Sequence, residues 1–311
     1  MGPVAGVPYD RLARTPLHRW WRPVVGTLAV AAGFVVVGVV VLFLGVAVAA
    51  MAGVQVFSPV SLEFADPVLG LAITLASIAF TLPVVYGVAW LVQRRPPGTL
   101  SSVLGRLRWR WLLLCLPVAL GAGLLGQFAV VLVLSLTGAD SSSGGFGWVG
   151  WERFLPGLLV TLLLVPFQAA AEEYLFRGWV LQAFGAFLRT PWPGILLGAA
   201  GFTALHAYTD WGIIDVFAFG ALMGWLAIRT GGLEAPIALH VINNVLGLGL
   251  SSASGSLGDA LRQGSVPWQS LAGTLVQLTI FAVAVLALVR RRNIATTSPE
   301  ARETYPLSVN S

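Results

Sequence analysis

From Val24 to Met51 the chain runs without a single ionisable side chain. A run longer than about 20 apolar residues exceeds what a buried helix of a soluble domain needs and matches the hydrocarbon thickness of a bilayer. Its tail, AVAAMAG, resembles a signal-peptidase site, but a signal core is shorter than this run, so the segment is read as an uncleaved helix. Further apolar runs follow at Pro67–Val92, Trp111–Leu136 and Phe154–Phe187. Shorter ones cover Pro193–Ala207, Gly212–Ile228 and Ala235–Leu250, and a last one covers Gln269–Val289. Hydrophobic residues make up 57% of the chain and charged residues 10%, which suits a protein solvated by lipid. The fold class expected is all-α, a polytopic membrane helix bundle of about eight transmembrane helices.

All 18 basic residues are arginine. With an even number of spans, the N-terminal arm, Arg94 to Arg110, Arg189, Arg229 and the C-terminal arginines fall on one face. Glu63, Asp66, Asp140, Asp210 and Asp259 fall on the other, where Arg153 and Arg262 are the basic exceptions. The positive-inside rule then places both termini in the cytoplasm of a multi-pass protein of the cell membrane. The expected division is a cytoplasmic arm (1–23), three accessory transmembrane helices (24–137), a catalytic helix core (154–251), a last transmembrane helix (269–289) and a disordered cytoplasmic tail (290–311). The loop Thr137–Trp151, rich in Ser and Gly, reads as a flexible turn. Gly2 does not make a myristoylation signal, because position 6 is Gly where Ser or Thr is required. The basic balance follows from orientation in the bilayer, and no basic stripe with interleaved aromatics suggests nucleic acid as a partner. Cys115 is alone and apolar in its surroundings, an inert buried thiol.

One apolar helix carries a costly cluster. Ala169–Arg177 reads AAAEEYLFR, and each ionised side chain at the centre of a span costs about 2.5 to 3.5 kcal/mol. Glu173 and Arg177, four apart, share a helix face and can neutralise each other. Glu172 is rotated away from Arg177 and is free for another role, with Gln168 one turn before it on its own face. Pro166 lacks a backbone donor and should bend the helix just upstream.

Two of the chain's three histidines lie in apolar segments downstream, the third being His18 in the arm. GFTALH puts Phe202 and His206 on one helix face, and IALHVINN puts His240 and Asn244 on another. Taken singly, each has a bland reading. An intramembrane His or Asn can be interhelical glue worth about 1 kcal/mol, Phe202 can be packing, and Glu173 with Arg177 can be a structural ion pair. Together, facing one interior, a Glu pair, two His and an Asn can hold a water, remove its proton and stabilise an oxyanion, which is the equipment of a hydrolase.

The motifs EEYLFR, FTALH and HVINN resemble those of the CPBP family of intramembrane proteases, named for CAAX proteases and bacteriocin processing and also called the Abi family. Glu172, Glu173 and Arg177 match the family's first motif, Phe202 and His206 the second, and His240 and Asn244 the third; the resemblance covers roughly residues 155–250. It implies an endopeptidase acting on membrane-associated peptides or proteins. The family is described both as metalloproteases and as glutamate-type hydrolases, so zinc is a possible cofactor, with His206 and His240 as ligands if a metal is bound. No HExxH is present. In the metal-free alternative Glu172 and His206 activate water, His240 and Asn244 polarise the carbonyl or hold the oxyanion, and Glu173 with Arg177 orients the helix. A catalytically idle scaffold or immunity protein of the same fold, and a proton-coupled transporter, are the competing readings.

Overall fold

The structure is a computed structural model, which describes residues 5–60, 63–139 and 147–299. Its long helices are α1 (Trp21–Met51), α4 (Trp109–Thr137), α5 (Trp151–Glu173), α8 (Trp211–Thr230), α9 (Glu234–Ser254) and α11 (Ser270–Arg291). The second apolar run is broken into α2 (Pro67–Ala79) and α3 (Leu82–Leu91), which meet at Phe80 and Thr81. Asp66 caps α2 by accepting from the Val68 and Leu69 amides, with Pro67 at the first helical position where a missing N–H costs nothing. Short helices α6 (Leu181–Phe187), α7 (Trp192–Ala204) and α10 (Leu257–Arg262) complete the set, and a two-stranded parallel pair joins β1 (Tyr208–Asp210) to β2 (Gly264–Val266).

Among the described residues, seven helical segments are long and apolar enough to cross a bilayer, which makes this a polytopic helical membrane bundle. The expected span at Pro193–Ala207 corresponds to α7, with 13 residues, about 20 Å of helical rise against a hydrocarbon core of about 30 Å. Among the described residues the count is therefore seven long spans, with α7 a shorter apolar helix beside them. Large side chains such as Val35, Phe43, Phe128 and Leu163 point outward, as a lipid-facing surface requires. Close contact between helices rests on small residues, the Cβ-less Gly126 of α4 lying against Gly273 of α11.

One end of the bundle holds most of the arginines and both described chain ends. Pro8 pairs with Thr297 in an antiparallel bridge, and the Gly6 and Ser298 amides bond the Ser298 and Val7 carbonyls. The arm packs against the bundle: Tyr9, Asp10 and Leu12 are buried, and Arg11 and Arg14 donate to the Arg189, Gly185 and Leu188 carbonyls around the end of α6. One expectation is corrected. The tail is ordered as far as it is described: α11 continues to Arg291 and Ser298 is buried against the arm. Residues 300–311, Gly2 and Asp140, with residues 140–146 of the loop read as flexible, lie outside the described residues.

Arg108, at the start of α4, ties this end together. It pairs with Glu234 at 2.6 Å and also donates to the Thr230 and Ala295 carbonyls, so one guanidinium joins α4, the α8–α9 turn and the segment after α11. Glu234 is fully buried, and removing one partner of such a pair leaves the other charge uncompensated, at a cost of about 3 to 5 kcal/mol. Thermal unfolding in detergent should show Glu234→Ala destabilised by about that amount, whereas Arg108→Met combined with Glu234→Leu, which removes both charges, should lose far less.

Candidate functional site: a carboxylate and imidazole cluster at the end of a cavity

The rod from Trp151 to Phe187 is continuous over 37 residues, about 55 Å, and so projects well beyond one bilayer thickness. That length brings Glu172, 21 residues along the rod, level with side chains on the shorter helices α7 and α9. Pro156 and Pro166 are both accommodated within α5. The departure from regular geometry comes later: Tyr174–Val180 forms a π-helical turn directly after the Glu pair, with Arg177 at its centre. Such wide turns are rare and concentrate at functional sites.

Glu173 is fully buried and its Oε1 takes two partners, Arg177 Nη1 at 3.0 Å and His240 Nδ1 at 2.7 Å. With Arg177 donating to the same oxygen, the arrangement suits a His240 that donates from Nδ1. The other ring nitrogen, Nε2, stands 3.4 Å from Glu172 Oε2. At that distance and direction the two atoms approach without forming a hydrogen bond. Glu172 Oε2 itself is buried and receives no hydrogen bond from the described residues. A buried, unsatisfied acceptor of this kind calls for a ligand or a role.

Arg177 is held on its other side by aromatic faces, its guanidinium 4.3 Å from the centre of the Phe202 ring. Its Nη2 lies where Gly220 of α8 leaves room; a Cβ there would sit 3.3 Å from it. The Phe202 ring also meets both imidazoles, with centres 4.5 Å from His206 and 5.7 Å from His240. His206, two residues past the end of α7, bonds through Nδ1 to the Phe202 carbonyl at 2.8 Å. A carbonyl only accepts, so His206 too carries its proton on Nδ1 and has a lone pair on Nε2. Asn244 donates from Nδ2 to Gln168 Oε1 at 3.0 Å, leaving one amide hydrogen and its oxygen unspent.

Glu172, His206, His240 and Asn244 all line one cavity of about 510 Å³. It extends from the Glu pair towards β1 and β2, at the end of the bundle away from the chain ends. Glu173 and Arg177 are in the buried layer behind it and do not line it. The helices expected to be accessory contribute a wall, since Leu71, Thr74 and Leu75 of α2 face the same space. Within this lining Glu172 contacts His240, and Asn244 is joined to Gln168.

Asp215 escaped the reading of the sequence. It lines the cavity from α8, together with Tyr208 and with Thr274 and Gln277 of α11. An ionisable residue inside the apolar run GIIDVF was the available signal. Burial, with Asp215 as a second cause, pushes the Tyr208 phenol up, so it remains a neutral donor. As for zinc, no group of three or more His, Cys, Asp or Glu side chains able to hold a metal ion occurs among the described residues. His240 has Glu173 on one nitrogen and Glu172 beside the other, and His206 offers a single nitrogen, so the donor set does not fit the usual three-ligand site.

The geometry is that of a polytopic membrane bundle with a buried acid and base cluster. Residues 152–246 match the family model of the type II CAAX prenyl endopeptidase Rce1-like proteins, which bears out the resemblance read from the three motifs over the segment that holds them. The matched family is one of proteases, and the match supports an enzyme of protease type. Over 189 residues the chain is 26% identical to the uncharacterized protein YyaK of Bacillus subtilis (strain 168), covering 58% of this chain and 60% of that protein. Over 101 residues it is 33% identical to an uncharacterized 24.3 kDa protein of Escherichia coli, covering 31% of this chain and 46% of that protein. The chain thus spans about half the length of the curated relatives it matches. No solved structure matches it.

The hydrogen bonds make a prediction about tautomers. With only three histidines, uniform ¹⁵N-histidine labelling gives few ring signals. His206 should read as protonated on Nδ1 with a bare Nε2. A neutral His206 protonated on Nε2 would contradict the bond to the Phe202 carbonyl.

Proposed function

We propose that the protein is an intramembrane endopeptidase that hydrolyses peptide bonds of membrane-associated peptides or proteins, with Glu172 as the base. The observation that carries this reading is the unsatisfied carboxylate oxygen of Glu172 at the end of a cavity large enough for an extended peptide segment, backed by the Glu173–Arg177–His240 chain. The protein resides in the cell membrane with both termini in the cytoplasm. The arginine-rich end, which holds both described chain ends, supports that orientation.

In the proposed reaction a water held between Glu172 and the bare Nε2 of His206 loses a proton to Glu172 while its oxygen bonds to the substrate carbonyl carbon. The charge that develops on the carbonyl oxygen is met by the remaining amide hydrogen of Asn244. His240, fixed by Glu173, shares the proton with Glu172 and passes it to the departing nitrogen as the C–N bond breaks. A carboxylic acid and an amine result, and Glu172 is left as it began. Glu173 and Arg177 act by position: they fix the tautomer and direction of His240 without touching the substrate. This sequence routes no step through a metal.

Purified protein in nanodiscs, incubated with a panel of single-span peptides, should release fragments detectable by mass spectrometry. Glu172→Gln and His206→Ala should each lower the rate by about 100- to 10,000-fold while leaving unfolding temperatures near wild type. Cleavage that survives both changes removes this assignment. Dialysis against EDTA should leave the rate intact, and a loss restored by zinc would transfer the water to a metal site. An idle scaffold would cleave nothing in any form.

A further inference from the structure

The ionisable side chains that line the cavity are all acidic, imidazole or phenolic. Beyond Glu172, His206, His240 and Tyr208 there is Asp215, and no arginine faces the space. The nearby Arg262 is committed elsewhere, to Glu63 at 3.1 Å and to Asp259. Asp215 makes no ion pair within the protein among the described residues; its neighbours are the hydroxyls of Thr274 and Tyr208. It is placed just past the first turn of α8, five residues beyond β1, whereas Glu172 lines the same space from α5.

A carboxylate that enters an apolar helix without a cation pays for desolvation unless something else compensates it. The usual compensation is an internal arginine, as Arg108 provides for Glu234 and Arg177 for Glu173 in this chain. Asp215 has none, although the cavity gives a ligand access to it. The same lining has no cation to receive a terminal carboxylate. An occupant therefore meets acidic groups at both ends of the space and gains by bringing a positive charge to one of them.

Building on the peptidase reading above, we propose that Asp215, flanked by Thr274 and Tyr208, is a specificity site for a cationic group of the substrate, an ammonium or guanidinium close in sequence to the cleaved bond. The Asp215 carboxylate accepts hydrogen bonds from that group, and the Thr274 and Tyr208 hydroxyls, which can donate and accept, complete its surroundings. Substrates ending in a free carboxylate at this position are disfavoured by the same charge.

Binding can be read apart from turnover by using Glu172→Gln protein in nanodiscs with fluorescent single-span peptides. Three peptide types separate the sources of positive charge. One is amino-acetylated with a lysine scanned through positions on both sides of the span end, one is acetylated and neutral, and one is neutral with a free amino terminus. At one or two scanned positions the lysine peptide should bind about ten-fold tighter than the neutral one, the size of one charge-assisted hydrogen bond. That ratio should fall to about one in Glu172→Gln/Asp215→Asn, and Thr274→Val should reduce it partway. A preference shown by the free amine alone assigns the site to peptide amino termini. No preference at any position, or one that persists without Asp215, overturns the proposal. Binding selectivity that holds while wild-type protein cleaves none of the peptides would sink the peptidase reading and leave this site standing.

Discussion

Everything around the site depends on placing charge where water cannot reach it. Glu173 has no exposed surface, and its carboxylate is held by one oxygen that serves Arg177 and His240 together. That single atom joins α5, the π-helical turn and α9, and the Phe202 face over Arg177 adds α7. In a low-dielectric interior such bonds are strong when complete and costly when broken, so the network fixes the relative rotation of four segments more tightly than apolar packing can. The π-helical turn is part of that arrangement. Placed directly after the Glu pair, it widens the helix where Arg177 must reach back to Glu173, and Gly220 on the facing helix leaves the room the guanidinium needs.

The two glutamates show how neighbours in sequence acquire different chemistry. Successive residues on a helix point about 100° apart, so a buried pair cannot serve one purpose. Glu173 turns into the bundle and is consumed by its partners. Glu172 turns to the cavity, keeps some exposure, and retains an oxygen to which the protein donates nothing. The His240 imidazole stands between the two, 3.4 Å from Glu172 and bonded to Glu173, so its orientation is set from behind by the residue that does not line the cavity.

Much of this was legible before any coordinates. Long uncharged runs dictate the helical membrane bundle because no other backbone arrangement satisfies its own hydrogen bonds in lipid. The cost of Glu172, Glu173 and Arg177 in an apolar helix marked the site, and the spacing of Phe202 with His206 and of His240 with Asn244 added its walls. What periodicity cannot supply is which residues meet across helices. The pairing of Glu172 with His240 depends on the π-helical turn and on the length of the α5 rod, neither of which has a local sequence signature. The packed arm and the segment after α11 were also hidden. The tail's polar composition reads as disorder, and nothing local in the arm shows that Arg11 and Arg14 find carbonyls at the end of α6 or that Tyr9 and Leu12 are buried. Asp215 was missed for a different reason, since a single carboxylate near the start of a span resembles a residue of the adjoining loop.

The two ends of the bundle complete the physical picture. At the end that holds the chain ends, Arg108 bonds the Glu234 carboxylate, Arg95 the Gln93 and Gln182 amide oxygens, and Arg11 and Arg14 backbone carbonyls, and the layer of Glu173, Arg177, Phe176 and Phe202 beneath is buried. At the other end, the cavity is bordered by β1, β2 and α10, short elements joined by two strands of three residues each. The buried polar bonds therefore lie behind the carboxylates and the short elements in front of them. Under the proposed peptidase reading, a site that must hold its acid and base groups in one geometry, yet admit and release a chain, is served by this asymmetry. It also bears on the transporter alternative, because alternating access requires both ends to be able to open, and the arginine end is held by buried polar bonds whose rupture would leave charges unpaired.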